Sequence, residues 1–144
     1  MNKGIFNIRV YAIILNDKDE VLLSDERRNG FSFTKFPGGG LDWGEGVADC
    51  LVREMREELD LDVQLGELFY VNDFFQLSRF HTDNQLISFY YYIDEIDHEA
   101  IPATEHAYPL MEETEKFRWV KRSELIIEEL TFPVDRIVAE KLKA

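Results

Sequence analysis

Three glutamates at helical spacing, Glu54, Glu57 and Glu58, are the residues best placed to do chemistry together in this chain. At 3.6 residues per turn they crowd an arc of about 100° on one side of a helix. Carboxylates that close repel one another and raise each other's pKa unless a cation neutralises them. Hard oxygen donors in this pattern suit Mg²⁺ or Mn²⁺. An acidic helix face is more often simply solvated, but the run Pro37-Gly38-Gly39-Gly40 just upstream shifts the balance. Three glycines after a proline read as a turn that lets another group approach the backbone closely. Exposed backbone groups set against a carboxylate arc form a site for a metal carrying a phosphate.

The helix that must position these glutamates has an apolar stripe beside them. Ala48, Leu51, Val52, Met55 and Leu59 fall within about 100° of one another and are expected to face the core. The remaining face carries Asp49, Arg53, Arg56 and Asp60, read as solvated or ion-paired. Cys50 projects to the acidic side and reads as a small packing residue without a chemical role. Arg53 precedes Glu57 by one turn, so it can hold that carboxylate as an i,i+4 pair.

Written as a pattern, the stretch is Gly39, five residues, Glu45, seven residues, then Arg53-Glu54-Met55-Arg56-Glu57-Glu58-Leu59-Asp60-Leu61. This resembles the Nudix box, GX5EX7REUXEEXGU with U an aliphatic residue. The departure is Asp60, which stands where the family has glycine, at a helix end where a left-handed cap is common. Asp adopts that conformation more readily than most non-glycine residues. The resemblance implies an α/β (α+β) fold of the α/β/α sandwich type with a mixed β-sheet, and hydrolysis of a nucleoside diphosphate linked to another moiety. It implies Mg²⁺, or Mn²⁺, held by Glu57 and Glu58 with the carbonyl of Gly38. Glu54 is implied as metal ligand or as general base towards the attacking water, and which Glu is the base stays open. Arg53 then positions Glu57, and Glu45 anchors Arg53 or a metal-bound water. The family often adds an acidic residue from the loop before the last strand; Glu113 is the first candidate, with Glu112 and Glu115 beside it and a solvated loop as the alternative.

Length and charge set the outer bounds. A chain of 144 residues is expected to form one domain, residues 1–144, with a single core. Hydrophobic and aromatic fractions of 45% and 13% fit a globular protein with a large β component. A net charge of −13 argues against bulk nucleic-acid or anionic-membrane binding. Acidic substrates stay open, since a bound metal and a few local cations can reverse the field in one cleft. One cysteine and the lack of a long apolar run or leader point to a reducing cytoplasm.

The other elements follow in order. Arg9 to Leu15 reads as a strand, Asn16 to Asp19 as a turn, and Val21 to Leu23 as the return strand of a hairpin. Asp25 to Gly30 reads as a charged loop and Phe31 to Phe36 as a short strand. Arg27, Arg28 and Lys35 are candidates for contacting a substrate phosphate, with ordinary surface charge as the alternative. Val63 to Val71 and Leu86 to Glu95 read as strands flanking a hairpin region, the aromatics of the second serving the sheet rather than a base-stacking platform. Asp97 to Lys116, with Pro102 and Pro109, is a long irregular segment. A strand over Phe117 to Val120, a helix over Glu124 to Leu130 capped by Ser123, and a helix from Pro133 to Lys143 complete the chain. His81, His98 and His106 all fall in loops or turns.

The substrate expected is a small nucleotide derivative. Family positions that mark ADP-ribose or dinucleoside polyphosphates hold Gln76 to Arg79 here, so neither marker is present. Nucleotide sugars, ADP-ribose and nucleoside triphosphates all stay open. A Nudix-fold sensor that binds a nucleotide without cutting it is the alternative class, and a homodimer is compatible with the resemblance.

Overall fold

The computed structural model describes residues 4–105 and 110–144, so His106 and Pro109 lie outside the described residues. Among the described residues the fold is a mixed α+β arrangement with two α-helices and two sheets. The chain divides into two compact units, residues 1–12 with 38–96 and residues 13–37 with 97–144.

The first unit holds β1 (Ile5–Ile13, whose last residue passes to the second unit), β4 (Gly38–Gly40), α1 (Val47–Leu59), β5 (Gln64–Val71) and β6 (Asn84–Glu95). Its sheet runs in the order β4-β1-β6-β5. β4 pairs antiparallel with β1 and β5 antiparallel with β6. β1 and β6 start together, Ile5 N–H donating to Asp83 O at 2.9 Å, and six residues on Tyr11 lies against Tyr90 with ring centroids 5.2 Å apart. The two strands are therefore parallel and the sheet is mixed. Tyr90 is buried, and Phe69 meets Tyr92 edge to face at 5.1 Å, so these β6 rings serve sheet packing.

The glycine run is a strand rather than the expected turn. Gly38, Gly39 and Gly40 pair with Tyr11, Val10 and Arg9. Only Gly38 has positive φ, at 144°, and a Cβ there would lie 2.1 Å from the Val10 carbonyl oxygen. Glycine is demanded by close strand approach. The chain reverses later, at Asp42 to Glu45, where Gly44 takes φ 97°.

In α1 the buried residues are Cys50, Leu51, Met55 and Leu59. Ala48 and Val52, expected to face the core, are exposed. The apolar stripe is rotated towards Cys50 because the helix packs on β4, where the Cys50 thiol donates to Gly40 O at 3.4 Å. Asp60 ends the helix with φ 55° and ψ 39°, and its N–H donates to Arg56 O at 3.0 Å, which is the left-handed cap that the family's glycine supplies.

The second unit holds β2 (Glu20–Arg28), β3 (Phe31–Lys35), β7 (Glu115–Lys121) and α2 (Pro133–Lys143). Its antiparallel sheet has the order β3-β2-β7. Asp25 to Arg28, expected in a loop, lie within β2. The turn is only Asn29-Gly30, with φ 53° and 78°, between the paired Arg28 and Phe31. That is the two-residue geometry Asn-Gly favours. Charged residues fit β2 because Asp25, fully buried, accepts from Arg118 Nε at 2.7 Å and Thr34 Oγ1 at 2.6 Å. The return of the first hairpin survives as Leu22 N–H to Ile14 O at 3.0 Å and a Leu15–Val21 bridge, but β1 and β2 belong to different sheets.

Glu124 to Leu130 is not one helix. Single 3₁₀ turns cover Arg122–Glu124 and Ile127–Glu129. Leu125 and Leu130 are both fully buried, yet on an α-helix five residues separate them by about 140°, so one helix face cannot bury both. Arg122 closes the unit: it holds Asp19 with two bonds of 2.9 and 3.0 Å, lowering that carboxyl's pKa, and donates to Leu142 O at 2.7 Å.

Candidate active site

Arg53 is the hub around which the box residues gather. Its guanidinium grips Glu45 with Nη2 at 2.7 Å and Nε at 3.0 Å. Nη1 reaches Glu54 Oε1 at 3.1 Å and Glu57 at 3.2 Å, and Nη2 donates to Gly40 O at 3.0 Å. The Asp42 carboxylate stands 3.4 Å away. One planar cation thus aligns helix, glycine strand and connecting turn, which a lysine's single ammonium could not do with the same geometry.

The electrostatics follow from these contacts. The hydrogen bonds from Arg53, then the Asp42 N–H, hold the Glu45 carboxyl at a pKa of about 2. Arg53 is raised in turn, Glu45 first and Glu57 next among the groups that stabilise its charge. Burial, then Glu45, pushes the Cys50 thiol up to about 12, so it stays protonated and is no nucleophile.

Glu54 and Glu57 sit in different environments. The Glu54 side chain is 13% exposed and Glu57 57%. Glu54 lies against Gly39 so closely that a Cβ there would meet its carboxylate atoms at 2.4 to 2.6 Å. Glu58, partly buried, follows Glu54 by one turn on the same side of α1.

The donors fit a hard divalent cation: carboxylates on one helix side, one of them seated in a notch that only glycine leaves open. Among the described residues no three His, Cys, Asp or Glu side chains already surround one point. Arg53 accounts for this, since Glu54 and Glu57 turn to its N–H groups, and a metal would share or displace those contacts.

Gly39, Glu45, Arg53, Glu54 and Glu57 are brought together, and Gly38 lies on the same short strand. Glu58 follows on the same helix, and the remaining candidates other than His81 lie in the second unit. Arg27 Nε pairs with Glu113 at 3.2 Å, and the Gly30 N–H donates to the same carboxylate at 3.3 Å. Lys35 is buried, its Nζ 3.4 Å from Glu115, which also accepts from Ser24 Oγ. Arg28 pairs with Glu26 at 2.6 Å, and Glu112 is exposed. His98 stands edge-on to Trp119 at 6.0 Å, and the His81 N–H is held by Ser78 Oγ at 3.2 Å. Sequence reasoning missed the Gly40 carbonyl and Asp42 as partners of Arg53. The Asp-Trp-Gly-Glu turn signature was the available signal for the second.

The fold and this box define the class. Residues 6–141 match the family model described as NUDIX domain, and the chain belongs to that family. It is 39% identical over 62 residues to the RNA pyrophosphohydrolase of Legionella pneumophila (strain Corby), 43% of this chain and 34% of that one. It thus spans about a third of that relative's length. It is 30% identical over 96 residues to the 8-oxo-dGTP diphosphatase of Haemophilus influenzae, 65% of each chain. Similar solved folds include the E. coli ORF135 protein (TM-score 0.71, 20% identity, 97% of this chain and 90% of that one). The MutT NUDIX hydrolase of Burkholderia pseudomallei is another (TM-score 0.70, 22% identity, 94% and 96%). Among the described residues no helix is long and apolar enough to cross a membrane.

Proposed function

We propose that this chain hydrolyses a pyrophosphate bond in a small nucleotide derivative with the help of Mg²⁺ or Mn²⁺. The observation that carries the reading is the Glu54 carboxylate seated against Gly39, with Arg53 tying it to Glu45 and Glu57. Glu54, Glu57, Glu58 and the Gly38 carbonyl are the groups that would hold the metal, and Glu113 is a further ligand candidate. When bound, the metal neutralises phosphate charge and lowers the pKa of water. Glu54, nearly buried, is suited to take a proton from the attacking water, whose oxygen bonds to phosphorus as the bridging P–O bond breaks. Arg53 fixes the carboxylates, and Glu45, ionised at any physiological pH, fixes Arg53. Arg27 and Lys35 remain candidates for phosphate contacts once their own carboxylate partners yield. Residues 1–144 form one domain in this reading, supported by a family match that runs through both units.

A nucleoside triphosphate is the first reading, in line with the relative named 8-oxo-dGTP diphosphatase, which this chain covers over the larger share of its length. RNA is the second, in line with the relative named RNA pyrophosphohydrolase. The net charge of −13 weighs against RNA, because a polyanion gains affinity chiefly from cations. The test is release of phosphate, pyrophosphate or nucleoside monophosphate from nucleotide sugars, ADP-ribose, dinucleoside polyphosphates, 8-oxo-dGTP and 5′-triphosphate RNA, each with Mg²⁺, Mn²⁺ or EDTA. Turnover abolished by EDTA supports the hydrolase and identifies its substrate. Silence across the panel with ligand-induced thermal shifts would point to the sensor instead. A reducing cytoplasm suits such substrates, and sedimentation equilibrium tests for a homodimer.

A further inference from the structure

We propose that Trp43 is the platform on which the base of the nucleotide substrate stacks. The inference rests on the nucleotide-hydrolase reading above and assigns its base-binding residue.

Trp43 is fully exposed, at 101% of its reference area. Single exposed apolar side chains are ordinary on protein surfaces, so exposure alone argues little. The turn that carries it argues more. Asp42 O accepts from Glu45 N–H at 3.4 Å, and Gly44 at φ 97° occupies the third position, which makes a type II turn with Trp43 at its outer corner. The Asp42 N–H donates to Glu45 Oε1 at 2.9 Å, closing the same turn from the side chain. Leu41 N–H is tied to Ile8 O at 2.9 Å. The backbone that carries the indole is thus braced, which leaves the side chain's own two torsions as the ordering cost when a planar ligand meets it.

The brace is also the site. Glu45, which closes the turn, grips Arg53 at 2.7 Å, and Asp42 stands 3.4 Å from the same guanidinium. Arg53 in turn touches Glu54 and Glu57 at 3.1 and 3.2 Å. Trp43 is therefore adjacent in sequence to a residue that contacts the arginine orienting the candidate catalytic carboxylates.

Charge decides which end of a nucleotide suits it. The residues flanking it in the turn, Asp42 and Glu45, are acidic, and the cation beside them, Arg53, is already held by both, so this surface disfavours phosphate. A neutral π-face accepts any base, which fits stacking better than hydrogen-bonded readout of one base.

Two measurements test the proposal. The first is tryptophan emission, excited at the red edge and titrated with ADP, inorganic pyrophosphate or ribose 5-phosphate in Mg²⁺. Trp43 and Trp119 are the two tryptophans, and the difference between the wild type and W43F isolates Trp43. Quenching by ADP but not by pyrophosphate or ribose 5-phosphate, absent in W43F, is expected. The second is steady-state kinetics on the best substrate of the panel. W43A should raise KM roughly five- to a hundredfold with the loss falling on KM rather than kcat, and W43F should recover most of it. Wild-type turnover with no change of KM in W43A overturns the platform and leaves the hydrolase reading standing. A wild type inert on every substrate sinks the hydrolase reading, and the ADP titration then judges Trp43 alone. Absence of ADP quenching in an active enzyme overturns the proposal.

Discussion

Replacing Gly39 by alanine separates the chemistry of this site from its fold. The new Cβ would stand 2.4 Å from Glu54 Oε1, where ordinary contact begins at 3.4 Å, so the carboxylate must retreat by about 1 Å. A displacement of that size at a reacting group costs roughly a hundredfold in rate. The stability change is small, because the colliding atoms are the tip of a flexible side chain. Gly39 has no positive φ, and alanine in a strand gains about 0.5 to 1 kcal/mol over glycine. Gly38→Ala is the contrast. Its Cβ would meet backbone, the Val10 carbonyl oxygen at 2.1 Å and the Tyr11 Cα at 2.8 Å, at φ 144°. Neither strand can yield without breaking its pairing, so a loss of about 3 kcal/mol or more is expected. Thermal melts and kcat/KM for both variants make the assay: G39A should melt near the wild type with activity down by two orders of magnitude, and G38A should melt far below it. A G39A enzyme with wild-type kcat/KM would remove the Glu54 carboxylate from the chemistry.

Glu57→Gln should leave the melt within about 1 kcal/mol of wild type, because its pair with Arg53 is largely exposed, while metal-dependent turnover falls by orders of magnitude; near-normal rates would take Glu57 out of the site. Asp60→Gly should stabilise by about 0.5 to 1 kcal/mol, since residue 60 holds φ 55° and loses only an exposed 3.6 Å pair with Arg56; a lower melting temperature would show that the pair outweighs the cap. Glu45 has a folded-state pKa of about 2, below its ordinary value of 4.5, so between those two values the unfolded chain binds the extra proton and stability falls as pH falls. Denaturant titrations in EDTA from pH 5 to pH 2 should show that slope in the wild type and a shallower one in E45Q; equal slopes would mean that Arg53 does not hold the carboxylate down.

Family membership, the acidic helix and its left-handed end were legible in the sequence, because each depends on local spacing. Helical periodicity puts Glu54, Glu57 and Glu58 on one side whatever packs against them. Arg53 and Glu57 could be paired from the i,i+4 rule alone, and the structure places them at 3.2 Å. The terminal helix from Pro133 was equally local, since proline is favoured in a first turn.

Features that need a partner from elsewhere in the chain were decided only by the tertiary structure. Three glycines carry no side chain to show a facing strand, so the local reading was a turn; pairing with Arg9 to Tyr11 made them β4. The same packing rotated the buried stripe towards Cys50 and left Ala48 and Val52 outside, because hydrophobicity marks a face without naming its neighbour. Asp25 to Arg28 read as a loop because charge is scarce in strands, yet Arg118, 93 positions away, supplies the counter-charge that lets Asp25 be buried. Local residue types determined which groups could act, and long-range strand pairing determined which of them meet, since a backbone partner distant in sequence leaves no periodicity in the segment it pairs with.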